Sequence, residues 1–470
     1  MKRVAYCATR LVLFYRYSGK ISKNYNKGSV LTMEKTIYDF VGIGIGPFNL
    51  SLAALADKQD KIDGVFFDQT SKMQWHPGML IQGTDLQVPF MADLVTFADP
   101  TSPYTFLNYL HKNNRIYPFF YFQKLEVPRP EYNDYLKWVA DQLPSLFFGQ
   151  KVIDVKEIDL NDEEKGYVLD VQDQETGDIK QYRSRHIVIG TGSKPSVIPG
   201  AEELPKEDIV HTSRYLYEKE SILRSNHVTV IGSGQSAAEI VDDLLSEQDD
   251  HHYKISWFTR SAGIFQLDTA KLPQELFSPE YVDYFNSLTY EQRMNTLPKL
   301  DKLQNGVDPS TLSDIYDWLY HKSVAGKQLD VTIQPLTELT DIKPLEKTYM
   351  LELHQWQEDE TIHFETDKLI LATGYKPNIP TWLKERFGSE IVWEGNEHYK
   401  LTRDCEIVFH DGRQHMIFAT TDIEHSHATG DNNLGLAVDR NMRMINTMAG
   451  ETVYPQSNST IFQQFTMKRD

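Results

Sequence analysis

A chain of 470 residues, 40% of them hydrophobic, can bury two or three cores and is expected to fold as a globular protein of more than one domain. A formal charge of -19 repels nucleic acid and anionic lipid, which leaves small molecules as the expected partners. The two cysteines, Cys7 and Cys405, exclude a disulfide framework, a CxxC redox pair and a thiolate zinc cluster, and they suit a reducing, cytoplasmic setting.

The first segment, residues 1–33, is basic. It carries Lys2, Arg3, Arg10, Arg16, Lys20, Lys23 and Lys27 and no acid. Arg10 and Arg16 interrupt its apolar run and no cleavage pattern follows. It reads as an upstream extension, with a targeting or membrane-surface role as the competing reading. Nothing along the chain approaches the ~18–20 apolar residues of a membrane span, so no stable membrane insertion is expected.

From Thr36 the pattern is an apolar strand (Ile37 to Ile43), a glycine turn, a helix (Leu50 to Ala56) and a second strand ending at Asp68, which is a βαβ unit. The turn reads Gly42-Ile-Gly44-Ile-Gly46-Pro47-Phe48-Asn49. Its glycines stand where backbone N–H groups must approach a pyrophosphate at a helix N-terminus, and Asn49 replaces the usual third glycine. Asp68 is placed to accept from a ribose hydroxyl. A strand-to-turn signal follows at Ile187 to Gly192.

A second βαβ unit runs from His227 to Arg260. Its fingerprint, Gly232-Ser233-Gly234-Gln235-Ser236-Ala237, is better formed than the first. An acid at the end of its second strand would select NADH. Here Arg260 follows Thr259, and a cation there pairs with a 2'-phosphate, favouring NADPH; a solvated strand-end arginine is the plainer reading. A last strand-to-turn signal, Leu369 to Tyr375, reads as the return to the first domain.

These elements predict an α/β fold with two Rossmann-like dinucleotide-binding domains, FAD and NADPH, the second inserted in the first. The expected division is residues 34–205 and 346–455 for FAD, 206–345 for NADPH with substrate-contacting segments, and 456–470 as a tail. Two such units in one chain restrict the chemistry to flavoproteins that take hydride from a pyridine nucleotide. Without a cysteine pair beside the flavin, O2 is the expected electron acceptor.

Several further segments are specific: Trp75-His76-Pro-Gly-Met79, Asp93-Leu-Val, Pro100-Thr-Ser-Pro-Tyr104, Glu131-Tyr-Asn-Asp134-Tyr, Ala372-Thr-Gly-Tyr375 and His425-Ser-His427. With the first glycine turn they resemble the siderophore-biosynthesis N-hydroxylating flavin monooxygenases, the family of lysine N6- and ornithine N5-monooxygenases and their diamine relatives, over about Ile37 to Gly450. The resemblance implies that NADPH reduces FAD, that O2 forms a C4a-hydroperoxyflavin, and that a neutral primary amine takes the distal oxygen. It also implies flavin contacts at Trp75, His76 and Met79, with Gln87 near the ring and Leu434 in the flavin-side closing stretch. Composition alone would make Trp75 and Met79 core residues.

One departure from the family concerns the substrate. The lysine that holds a substrate carboxylate before Asp-Leu-Val is Ala92 here, and Gln274 stands where an asparagine is usual. A buried carboxylate without a cation is costly, so a carboxylate-free amine is expected: histamine, or a diamine such as putrescine or cadaverine. The altered tail at Asp431 to Leu436 leans the choice toward histamine. Gln274 and Asn305 are candidate neighbours of the distal end, Asn305 being equally a loop or NADPH-ribose residue. Lysine or ornithine hydroxylation is the alternative, and a non-catalytic flavin- and NADPH-binding scaffold is the alternative of another class. His425 and His427 lack a nearby third ligand in sequence and are read as structural, so no metal is expected. A homo-oligomer is possible.

Overall fold

The computed structural model describes residues 37–395, 397–457 and 459–467; the basic extension 1–33 and the last three residues of the tail lie outside the described residues. Two sheets organise the chain, the first mixed and the second parallel. The first runs Leu146–Phe148, Gly64–Asp68, Ile37–Ile43, Ile179–Ile189, Lys165–Asp173, Gln150–Asp159, with Ile417–Ala419 also pairing to Ile179–Ile189. The long strand Ile179–Ile189 serves three ladders, one of them parallel with Ile37–Ile43. Its first half pairs antiparallel with Lys165–Asp173, and Ile187 to Ile189 pair parallel with Ile417 to Ala419.

The apolar runs that predicted strands here are buried on both faces, as parallel strands require. Helix Pro47–Ala56 covers one face, with Asn49 and everything after it buried. Helix Leu434–Ala449 packs against that helix, and Asn441 donates to the Phe48 carbonyl and the Ser51 hydroxyl, both at 2.9 Å. The C-terminal end of the chain thus returns to the first glycine turn.

The second sheet is parallel throughout, in the order Ile209–His211, Lys368–Leu371, His227–Ile231, Lys254–Phe258, Val331–Gln334. Helices Gln235–His251 and Pro309–Ser323 line one face, and the antiparallel strands Thr337–Pro344, Tyr349–Gln355 and Glu360–Thr366 cover the other. This corrects the expected boundary. The expected return to the first domain is at residue 346, whereas strand Lys368–Leu371 sits inside the second sheet. The return comes afterwards, where Tyr375–Pro377 pairs antiparallel with the outgoing Ser193–Pro195. An apolar strand running into a glycine turn looks the same whichever sheet receives it, so only the pairing partner decides.

Candidate functional site

Both glycine turns are built by close backbone approach. Gly44 has φ +91°, and a Cβ there would overlap the Gly190 carbonyl oxygen; Gly232 has φ +134°, and a Cβ would overlap the Ala372 carbonyl oxygen. Asn49, in the place of the third glycine, donates to the Gly44 carbonyl at 2.8 Å and so fixes the turn from the helix side. Gly46 and Gly234 behave differently from these. They cap helices Pro47–Ala56 and Gln235–His251 with nearly identical extended backbones, φ -84°, ψ 178° and φ -86°, ψ 178°, and no side chain caps either helix. A Cβ on either would meet nothing within 4 Å. Each turn therefore presents a bare, glycine-lined helix N-terminus, with orphan N–H donors and the positive end of the helix dipole, to open space that an anionic pyrophosphate fits.

Asp68 closes the first turn. One carboxylate oxygen accepts from the Ile45 N–H at 2.7 Å, and the other accepts from the Thr70 N–H at 2.7 Å and hydroxyl at 2.6 Å. Lone pairs remain on this fixed carboxylate for a ribose hydroxyl. At the second turn Ser233 and Ser261 share a hydrogen bond at 2.9 Å, and Ser236 is half-buried beside buried Ala237. Gln235 accepts from the Asp308 N–H at 2.7 Å and donates to Glu239 at 2.8 Å, so its amide braces the turn rather than facing outward. Arg260 is 79% exposed, with only a 3.8 Å approach to Glu338 among the described residues. Such a cation can receive a 2'-phosphate without first breaking a strong pair.

The Trp75 segment is wedged where the two bodies meet. The Trp75 N–H donates to Asn133 at 2.9 Å, and its ring meets Tyr132 edge-on at 5.4 Å. His76 adopts φ 46° to start the turn Pro77–Met79, and its ring meets Tyr375 edge-on at 6.0 Å. His76 is itself exposed, and crowding by the surrounding protein, with the Arg129 charge second, lowers its pKa. The next glycine, Gly78, lies against the Ser213 carbonyl. Met79 does not share this exposed setting: it is 3% exposed and belongs to the core of the second sheet with Val210, Tyr215 and Val230. The expectation of a flavin contact at Met79 thus gives way to core packing, because the turn directs that side chain between the bodies. Gln87 is exposed on strand Asp85–Pro89.

Ala92 is buried and is followed by Asp93, a fold-organising carboxylate. Asp93 accepts from Val95 N–H at 2.9 Å, from Thr96 N–H and hydroxyl at 2.7 Å, and from Phe106 N–H at 2.7 Å. Segment 429–435 then touches two candidate substrate segments. Gly435 lies so close to the Phe97 ring that a Cβ would come within 2.7 Å of it, and the Thr429 hydroxyl donates to the Leu276 carbonyl at 2.5 Å. Leu434 is partly buried beside the first core. The amides of Gln274 and Asn305 are both committed to their own chain, Gln274 to the Asp268 carbonyl at 2.7 Å and Asn305 to Asp301 at 2.9 Å. Asn433 caps helix Leu434–Ala449, so its departure from the family pattern serves the helix.

Two features escaped the sequence. Arg129 and Glu239 form a bidentate pair, both contacts 2.6 Å, with side chains only 14% and 3% exposed, and it ties helix Arg129–Ala140 to the helix of the second turn. The available signal was an acid on the buried face of helix Gln235–His251, which needs a partner. The second feature is the company of His425. His427 is structural, its Nε2 3.1 Å from the Arg403 carbonyl, whereas His398 and Asp422 both lie beside His425. Burial followed by mutual repulsion raises the proton affinity of Asp422, to about 6, and of Glu424; for Asp431 burial is the main cause.

Two pyrophosphate-ready turns, an aromatic and histidine junction between them and no cysteine pair define an FAD- and NADPH-dependent monooxygenase of the flavoprotein type. The comparisons agree. The model of the L-lysine 6-monooxygenase/L-ornithine 5-monooxygenase family matches residues 36–377. Putrescine N-hydroxylase of Shewanella oneidensis is 35% identical over 92% of this chain and 85% of its own length. The alcaligin biosynthesis enzyme of Bordetella pertussis is 36% identical over 93% of this chain and 94% of its own. The FAD-bound structure of DfoA, the cadaverine monooxygenase of desferrioxamine biosynthesis in Erwinia amylovora, has 37% identity and a TM-score of 0.86, covering 93% of this chain and 100% of that one. The chain belongs to the L-lysine 6-monooxygenase/L-ornithine 5-monooxygenase family and is a flavin-dependent N-monooxygenase that uses FAD and NADPH.

Proposed function

We propose that the enzyme hydroxylates one nitrogen of a small aliphatic diamine, putrescine or cadaverine, for siderophore assembly. Bound FAD, reduced by NADPH, supplies the oxygen transfer, and the remaining work falls to the chain. Gly46 and Asp68 would hold the FAD pyrophosphate and ribose, and Gly234 and Arg260 the NADPH pyrophosphate and 2'-phosphate. Trp75 and His76 would flank the flavin, with the surrounding protein and the Arg129 charge holding His76 toward its neutral form. A free alkylamine is protonated at neutral pH, with a pKa of about 10, so the pocket must favour the neutral form by excluding water.

The observation that carries the substrate choice is the buried Ala92 where a carboxylate-binding lysine would stand. Burying an unpaired carboxylate costs several kcal/mol, so amino acids are disfavoured. Between the remaining amines, the similarity to putrescine and cadaverine enzymes favours a diamine over histamine. The capping role of Asn433 also removes the tail argument for histamine. Asp431 adds an acidic group on the segment that touches Leu276 and Phe97, which suits a distal ammonium.

The test is hydroxylamine formed per NADPH consumed, with putrescine, cadaverine, histamine, ornithine and lysine offered separately. A diamine should exceed lysine or ornithine by at least about 100-fold in kcat/KM. Equal or better turnover of an amino acid would overturn the Ala92 argument. Coupling to none of these amines would overturn the assignment to amine hydroxylation.

A further inference from the structure

We infer that His398, Asp422 and His425 form a binding site for a divalent transition-metal ion of the zinc type, separate from the flavin chemistry. Their ligand atoms, one from each residue, lie within 4.8 Å of one another. The three come from different elements: His398 from the short strand His398–Tyr399, Asp422 from the turn after strand Ile417–Ala419, and His425 from helix Glu424–His427.

Each imidazole already has one nitrogen engaged, as metal-ligating histidines do. His425 Nε2 is 2.9 Å from the Tyr399 carbonyl, which can only accept, so Nε2 carries the proton and Nδ1 keeps its lone pair. That Nδ1 is buried without a hydrogen-bond partner among the described residues, in a side chain 2% exposed, and the ring lies beside the Asp422 backbone. Orphaned buried nitrogens are rare and call for a ligand. His398 has its Nδ1 2.9 Å from the Tyr290 hydroxyl, which leaves Nε2. Asp422 makes no ion pair among the described residues. Two imidazoles and one carboxylate suit zinc, with a fourth position left for water.

The present geometry is open. With zinc–ligand distances of about 2.0–2.1 Å, tetrahedral ligand atoms stand roughly 3.4 Å apart. The two rings are stacked at 4.6 Å with an 18° tilt, so their lone pairs do not yet converge. Rotation of the half-buried His398 supplies the closure, while His425 stays fixed by Tyr399. A bound ion would fasten the His398 hairpin to the turn before helix Glu424–His427.

The experiment uses tag-free, FAD-loaded full-length enzyme titrated with Co2+ and then with Zn2+ in competition. It is read by calorimetry and by the visible absorption of nitrogen- and oxygen-ligated Co2+. We expect one saturable site per chain, weakened at least tenfold in both Asp422→Asn and His398→Gln. His354→Gln, which alters a half-buried histidine 3.6 Å from Asp359, should leave it unchanged. The flavin spectrum and melting temperature of each variant establish that it is folded. No saturable Co2+ binding, or binding that survives both substitutions in folded protein, would overturn the proposal.

Discussion

Gly46→Ala and Gly44→Ala, two positions apart, should fail in opposite ways. At Gly46 the backbone is extended and a Cβ meets no protein atom within 4 Å, so the fold has nothing to resist. Losing glycine at the cap costs some tenths of a kcal/mol to about 1, and stiffening the unfolded chain returns about 0.4–1. The apo-protein should therefore melt within about 2 °C of the parent. The new methyl instead enters the space that the FAD pyrophosphate needs, and FAD affinity should drop at least about tenfold, or 1.4 kcal/mol.

At Gly44 the strain is internal. A left-handed alanine costs about 1–2 kcal/mol, and the Gly190 carbonyl must also move. A total near 3 kcal/mol lowers the melting temperature by roughly 6–12 °C for a domain of this size. FAD titration by flavin fluorescence, alongside apo-protein melting by circular dichroism, separates the two. If Gly46→Ala binds FAD like the parent, or Gly44→Ala is equally stable, the account of the turn is wrong.

Arg260→Ala should raise the KM for NADPH about tenfold or more while leaving NADH turnover unchanged, measured by flavin reduction under anaerobic conditions. Met79→Ala should cost about 2–5 kcal/mol of stability through a cavity in the second core, with the bound-flavin absorption spectrum unaltered; a spectral shift without destabilisation would restore it as a flavin contact. His186 is pushed by burial to about 4, so on its account the unfolded chain binds more protons than the folded one between pH 4 and 6.5. The contribution of this ring should be full above pH 6.5 and fall as pH drops, by about 1.4 kcal/mol per unit; Asp242, raised to about 6, titrates with the opposite sign and lessens the slope. Chemical denaturation in steps from pH 7.5 to 4.5 checks it, and a flat profile would contradict the burial of the His186 ring.

The sequence by itself determined both nucleotide turns, because a strand, a positive-φ glycine and a helix start are local: the spacing of Gly44, Gly46 and Asp68, and of Gly232 and Gly234, requires no knowledge of the rest of the chain. It also determined the absence of a cation at Ala92. Tertiary structure decided which sheet receives each strand, since Lys368–Leu371 carries the same apolar signal for either, and pairing depends on neighbours far away in the chain. It sent Met79 into the second core, committed the Gln274 and Asn305 amides to nearby acceptors and made Asn433 a cap. It also gathered Arg129 to Glu239, and His398 and Asp422 to His425. The Arg129–Glu239 pair joins residues 110 positions apart, and no local spacing records such a contact.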